Sequence, residues 1–222
     1  NQTIIDIGTG TGLLAFKALE QLNGTGKIIF SDKFKDCLDS CENFLKEQGI
    51  TQGYEMLQCP AEKIPLPDNS VDTAMMRSVL VHIVDKQPAI NEIYRILKKG
   101  GHFCCFEPII RSNTRYWELT EPSEIRNYEE FKKAENDFMT KADDSLCNFD
   151  ENTLAQNFEK AGFSDGTVDA DIIPSTYVAN SKMVEQWFVA PPAPDKPSIK
   201  ERFLNYFDEL TVNDYIEDMK KA

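Results

Sequence analysis

The chain has 222 residues, 41% hydrophobic and 27% charged, enough for one globular domain with a sizeable core and too few for two large ones. Its 24 Lys and Arg against 37 Asp and Glu give a formal net charge of −13, which argues against a surface that neutralises nucleic-acid phosphates or rests on anionic lipid. No run is long and apolar enough to span a membrane and no secretory leader opens the chain, so the sequence reads as soluble and cytoplasmic. The six cysteines, Cys37, Cys41, Cys59, Cys104, Cys105 and Cys147, include no C-x2-C pair. The expectation is reduced, mostly buried thiols, with no metal site and no disulfide framework.

In chain order, β-branched runs alternate with helical patterns, which predicts a parallel sheet flanked by helices. Thr3–Ile7 reads as a first strand, ended by glycines, and residues 12–22 as a helix with Leu13, Leu14, Phe16, Leu19 and Leu22 at helical spacing. Residues 27–31, 54–58, 71–76 and 102–106 read as further strands, and residues 34–48 and 87–97 as the helices between them. After Pro108 the alternation stops. Residues 109–148 are polar and too long for a plain loop, with a helical pattern from Pro122 to Lys141, and they read as a lid over the strand ends. Asp150 is placed to cap a helix to Ala161, residues 167–173 read as a sixth strand, and Ser198 with Glu201 forms a capping box ahead of two last helices, 198–207 and 211–220. The division expected is a core over 1–108, a lid over 109–148, completion of the core over 149–178 and a helical extension over 179–222.

The strongest local motif is Asp6-Ile7-Gly8-Thr9-Gly10-Thr11-Gly12 between the first strand and the first helix. Three glycines there let backbone approach a ligand closely. A dinucleotide site wants G-x-G-x-x-G, whereas here the third glycine comes one residue early and Leu13 takes the late position, an arrangement that suits a cofactor without a phosphate at the helix. Asp32 ends the second strand, 20 residues after Gly12, where a carboxylate accepts from a ribose diol; its structural alternative is a helix cap. A third segment runs from Cys59-Pro60-Ala61-Glu62 to Ser70-Val71-Asp72, followed by the fourth strand and Arg77-Ser78-Val79-Leu80.

Taken in order with Leu97-Lys-Lys-Gly-Gly101 and Ala161-Gly162-Phe163, these segments make residues 3–163 resemble the class I S-adenosylmethionine-dependent methyltransferases, in particular the small-molecule group similar to the ubiquinone/menaquinone C-methyltransferases. The resemblance implies an α/β fold: a Rossmann-like, doubly wound, mostly parallel sheet with helices on both faces and a helical lid inserted after strand five. It implies S-adenosyl-L-methionine as cofactor, with S-adenosyl-L-homocysteine as product. Asp6, Gly8, Thr9, Gly10, Gly12 and Leu13 would form the loop facing the methionine part, Asp32 and Lys33 would lie at the ribose, Ala61 and Glu62 beside the adenine, and Arg77 near the methionyl moiety. Two departures stand out. Pro60 occupies the position where the family usually has an aspartate for the adenine amino group. The chain also opens without methionine directly on strand one and offers no good seventh strand, since residues 182–190 are a poor strand candidate, so the family's first helix is expected to be missing.

The activity implied is methyl transfer to a small-molecule acceptor by in-line displacement. His82 is the candidate base, and Glu107 is a candidate to orient the acceptor or help hold the cofactor, against the alternative of a cap or a pair with Arg111. Tyr116, Trp117 and Tyr128 are candidate pocket walls or lid core. The lid segment concentrates the acidity, with 15 acidic and 5 basic residues between Glu118 and Asp171. That excess either forms a solvated helix face or draws in a cationic acceptor or basic partner, and reversing Glu129, Glu130 and Glu135 would separate the two. Two rivals are a non-catalytic cofactor-binding or partner subunit and, from another class, an NAD-dependent oxidoreductase. Oligomeric state is not legible.

Overall fold

The Thr-Ile-Ile-Asp-Ile run that opens the chain becomes the central strand of a parallel sheet, because its β-branched side chains suit a strand buried on both faces. The structure, a computed structural model, describes residues 2–174, 176 and 178–222. In chain order the elements are β1 (Gln2–Ile7), α1 (Leu13–Leu22), β2 (Gly26–Asp32), α2 (Lys35–Glu47), β3 (Tyr54–Gln58), β4 (Val71–Arg77), α3 (Lys86–Ile96), β5 (Leu97–Phe106), α4 (Tyr128–Phe138), α5 (Glu151–Ala161), α6 (Ser181–Val189), α7 (Ile199–Phe203) and α8 (Glu209–Met219). Two units divide them: Asn1–Pro108 with Phe149–Val168, and Ile109–Asn148 with Asp169–Ala222. The segment read as a lid and the C-terminal extension therefore fall within one unit.

In the first unit the strand order is β3-β2-β1-β4-β5, all parallel. The chain winds outward from β1 to β3, then returns to the other side of β1 for β4. With right-handed crossovers, that reversal puts α1 and α2 on one face and α3 on the other. Ile28 and Phe30 of β2 pack with Ala15 and Leu22 of α1 and Leu38, Cys41 and Leu45 of α2. Ile90, Ile93 and Ile96 of α3 are fully buried. At the N-terminal end of the sheet Asp72 closes the register: its carboxylate accepts from Thr3 N at 2.8 Å and pairs with Lys98 at 2.9 Å. Arg95, on α3, donates to the carbonyls of Ile64 and Leu66 and pairs with Asp68 and Glu92, which fixes the Pro-rich loop between β3 and β4.

The second unit is built on aromatic packing. Phe131 of α4 stacks on Tyr215 of α8 with centroids 3.9 Å apart, and Phe203, Phe138 and Phe188 pack around them. Arg126 pairs with Asp218 at 2.7 Å, and Arg202 with Asp144. The Ser198–Glu201 capping box forms as expected.

Several expectations need correction. Residues 167–173 are not a strand, and among the described residues the sheet has five. Asp169 and Asp171 interrupt the segment, and Ile172 and Ile173 are 95% and 72% exposed, so pairing would bury too little to offset ordering. Residues 182–190, a poor strand candidate by sequence, indeed form no strand: 182–189 lie in α6, capped by Asn180. The helix expected from Pro122 to Lys141 is a 3-10 turn, Pro122–Glu124, followed by α4 after a left-handed Asn127 at φ 55°. β5 starts at Leu97, not His102, the helix expected over 198–207 shortens to α7, and the one expected over 211–220 starts earlier, at Glu209, as α8. Of the six cysteines only Cys41, Cys59 and Cys147 are buried, and Cys104 is exposed.

Candidate functional site

The carboxyl ends of β1 and β4, where the winding reverses, are where open α/β sheets take ligands. The glycine loop sits there because of three backbone conformations: Gly8, Gly10 and Gly12 have φ of 66°, 52° and 83°, in the left-handed region that other residues enter only with strain. A Cβ on Gly8 would lie 2.4 Å from Val79 Cγ2, and one on Gly12 would lie 2.4 Å from the Phe16 ring. At Gly10 a Cβ would meet nothing within 4 Å. Gly8 and Gly12 thus answer to packing inside the protein, whereas a side chain at Gly10 would meet open space.

Asp6 holds this loop from below. It is 2% exposed, and one carboxylate oxygen accepts both Thr9 Oγ1 at 2.8 Å and Ala15 N at 3.1 Å. Burial pushes its carboxyl up to about 6, against the two donors that pull it down. Asp6 and Thr9 therefore brace the loop and the start of α1. Ser31 adds to this, accepting Thr9 N on its carbonyl and donating its hydroxyl to Asp6 O.

Asp32, at the tip of β2, ties the loop to the neighbouring strand. Its Oδ2 accepts Gly10 N at 2.9 Å and its Oδ1 accepts Phe34 N at 2.9 Å. Phe34 is the N-cap of α2, so Asp32 braces that cap without being it. Each of its oxygens keeps a second acceptor lone pair, as a vicinal diol needs. The Asp32 carbonyl accepts Cys59 N at 3.0 Å, which draws the buried Ala61 to the same end of the sheet. Glu62, Lys33 and Arg77 are exposed at the tips of β3, β2 and β4 respectively, and Leu13, at the start of α1, is 60% exposed. A cavity of about 480 Å³ beside this edge is lined by Gln58, Cys59, Pro60, Lys63, Glu92 and Arg95, among others. The donor set fits S-adenosylmethionine: a loop without side chains at Gly10, a diol acceptor at Asp32 and an apolar rim at Cys59–Ala61.

The two candidate catalytic residues both lie at the turn that follows β4. His82 closes a 3-10 turn, Leu80–His82, and is half-buried. Glu107, just past β5, accepts Val79 N on Oε1 at 2.9 Å and Val81 N on Oε2 at 3.0 Å. It is a cap on that turn, the alternative that sequence alone leaves open. Burial raises its carboxyl and the backbone donors lower it, with a net upward shift. Sequence reasoning does not find Val79 or Ser31. A β-branched residue two places after a strand carries no signal until its partner, Gly8, is known to lie against it.

In the second unit Glu135 is fully buried, not part of a solvated acidic face. It accepts Tyr116 N at 3.0 Å, and burial pushes it up to about 7. Tyr128 donates to the Trp117 carbonyl at 3.1 Å, and Tyr116 packs on Phe188 at 4.7 Å. These rings belong to that unit's packing.

Residues 1–162 match the family described as a methyltransferase domain. The chain is a member of the class I S-adenosylmethionine-dependent methyltransferases. The chain is 33% identical over 112 residues to the ubiquinone/menaquinone biosynthesis C-methyltransferase of Enterobacter sp. (strain 638), an alignment covering 49% of the chain and 45% of that protein. The chain thus spans about half the length of such curated relatives. Among solved structures, the chain matches an S-adenosylmethionine-dependent methyltransferase from Aquifex aeolicus with a TM-score of 0.55 at 19% identity, over 75% of this chain and 74% of that one. It also matches the [4+2]-cyclase SpnF with a TM-score of 0.54 at 20% identity, over 73% of this chain and 50% of that one. At those identities the structures speak to the fold alone, and a cyclase among them shows that the fold does not choose the reaction. No described helix is long and apolar enough to cross a membrane.

Proposed function

We propose that this methyltransferase moves the methyl group of S-adenosylmethionine to a small-molecule acceptor by in-line displacement. The observation that carries the reading is Asp32, whose carboxylate joins the tip of β2 to Gly10 of the glycine loop at the point where the sheet reverses. The cofactor's sulfonium supplies an electrophilic methyl group, so the protein's task is alignment and exclusion of water. Asp32 holds the ribose, the loop over Gly10 takes the methionyl part, Ala61 and its neighbours flank the base, and Arg77 lies by the methionyl carboxylate. Pro60 offers the base no side-chain acceptor, so its polar edge is met by backbone or by Glu62. His82 takes a proton where the acceptor must lose one.

Calorimetric titration tests the cofactor reading. Sub-millimolar binding of S-adenosylhomocysteine with no heat from NAD is expected, and the reverse would overturn it in favour of an oxidoreductase. Incubation with methyl-labelled cofactor and fractionated metabolite pools tests turnover. Label transfer to a small molecule is expected, and binding without transfer to any pool would favour the non-catalytic reading.

A further inference from the structure

Glu107 places a half-buried carboxylate at the end of β5 and spends both oxygens on the chain that leaves β4. That stretch is strained at its first residue: Ser78 has φ 56°, a left-handed conformation for a residue with a side chain. Three bonds hold it there, Ser78 N to the Phe106 carbonyl at 2.8 Å and the Val79 and Val81 amides to Glu107. Leu80 and Val81 are buried within the same turn. The result is a fixed position for the Val79 side chain, whose Cγ2 would be 2.4 Å from a Cβ on Gly8. Gly8 is the first glycine of the cofactor loop, and its bare Cα is the surface that Val79 covers.

We propose that Glu107 is a positioning residue for the cofactor loop, acting through the 78–81 turn and the Val79 side chain seated on Gly8. The strand-five carboxylate is coupled in this way to a loop that follows strand one, across β4, without touching the ligand. The geometry explains why a carboxylate is required. A carboxylate offers an acceptor to each of two diverging backbone amides, whereas a glutamine turns one NH2 group toward an N–H donor. An aspartate is one methylene shorter and cannot keep the same reach. This inference rests on the cofactor reading given above.

The test is a double-mutant cycle on S-adenosylhomocysteine affinity, measured by calorimetry with Glu107→Gln, Val79→Ala and the pair, each first shown folded by urea unfolding. Glu107→Gln is expected to weaken binding about tenfold, a change of about 1.4 kcal/mol. Val79→Ala, which leaves every bond to Glu107 in place, is expected to weaken it to a similar degree, and the pair to be no weaker than the stronger single change. A merely structural Glu107 would lower the unfolding midpoint and leave the affinity of the folded variant unchanged, and that result overturns the proposal. Effects that multiply in the pair overturn it too, since they mean independent routes. Should Glu107→Gln not fold, unchanged affinity in Val79→Ala alone overturns it. Failure of the parent chain to bind S-adenosylhomocysteine refutes the cofactor reading itself, and with it the proposal.

Discussion

Replacing the Asp6 carboxylate by an amide, Asp6→Asn, gives the sharpest check on how the glycine loop is held. The carboxylate is 2% exposed and pushed from 3.8 up to about 6, chiefly by burial. At about 1.4 kcal/mol per unit, the charged form costs the folded state about 3 kcal/mol relative to the neutral form. Its sign follows from proton counting. Between pH 4 and 6 the folded chain binds more protons at this site than the unfolded chain, so stability falls as pH rises through that window and is level above it. The amide that replaces it does not titrate, and its single oxygen can accept Thr9 Oγ1 and Ala15 N as one Asp6 oxygen does now. The variant should therefore be more stable than the parent at pH 7.5 by about 2–3 kcal/mol, with the advantage shrinking toward zero near pH 4. In a thermal melt this is a rise of about 5–10 °C for a chain of this size at the higher pH. Urea unfolding of both proteins at pH 4.0, 5.0, 6.0 and 7.5 measures the difference directly, and Glu135 cancels because both carry it. A gap that does not change with pH, or an amide variant that is the weaker protein at pH 7.5, would refute the argument that burial governs this carboxyl.

Glu135→Gln should behave the same way over a higher window: a buried carboxyl at about 7 makes the parent lose stability between pH 4.5 and 7, by about 3 kcal/mol in all, and the glutamine variant should lack that slope in urea unfolding. Gly12→Ala puts a Cβ 2.4 Å from the Phe16 ring at φ 83°, and combined strain and overpacking should cost about 2–4 kcal/mol, read as a lower urea midpoint with an unchanged slope. Asp32→Asn removes one of the acceptors that serve Gly10, Phe34 and the diol, and should weaken S-adenosylhomocysteine roughly 10–100-fold by calorimetry. An affinity within about twofold of the parent would remove Asp32 from the ribose.

The parts of the fold that sequence patterns carry are those set by local rules. The five strands and α1–α3 were legible from β-branched runs, helical spacing and glycine stops, and Asp150 and Ser198 announced their helices by capping chemistry. The turn Asp6–Gly12 and the place of Asp32 at the end of β2 were legible from the glycines and the strand–helix alternation. What failed depends on distant partners. Residues 167–173 alternate like a strand, yet a ladder needs a neighbour and a buried face. Glu135 reads as one more acid on a polar helix, yet Phe131, Ala134 and Phe138 share its face and carry it inside. For Glu107 sequence leaves both a site role and a cap open, and only the two amides 26 and 28 residues upstream show the cap.

Arg95 reaches from α3 to two carbonyls and a carboxylate of the loop after β3, with Glu92 returning a bond to Ile64 N. The consequence is thermodynamic. A loop pinned by bonds within the chain itself surrenders its conformational entropy during folding, so that term is absent from the free energy of binding a ligand beside it. Cofactor association should then show only the modest negative heat-capacity change of the ligand's own apolar burial, without the larger contribution of a segment folding around it.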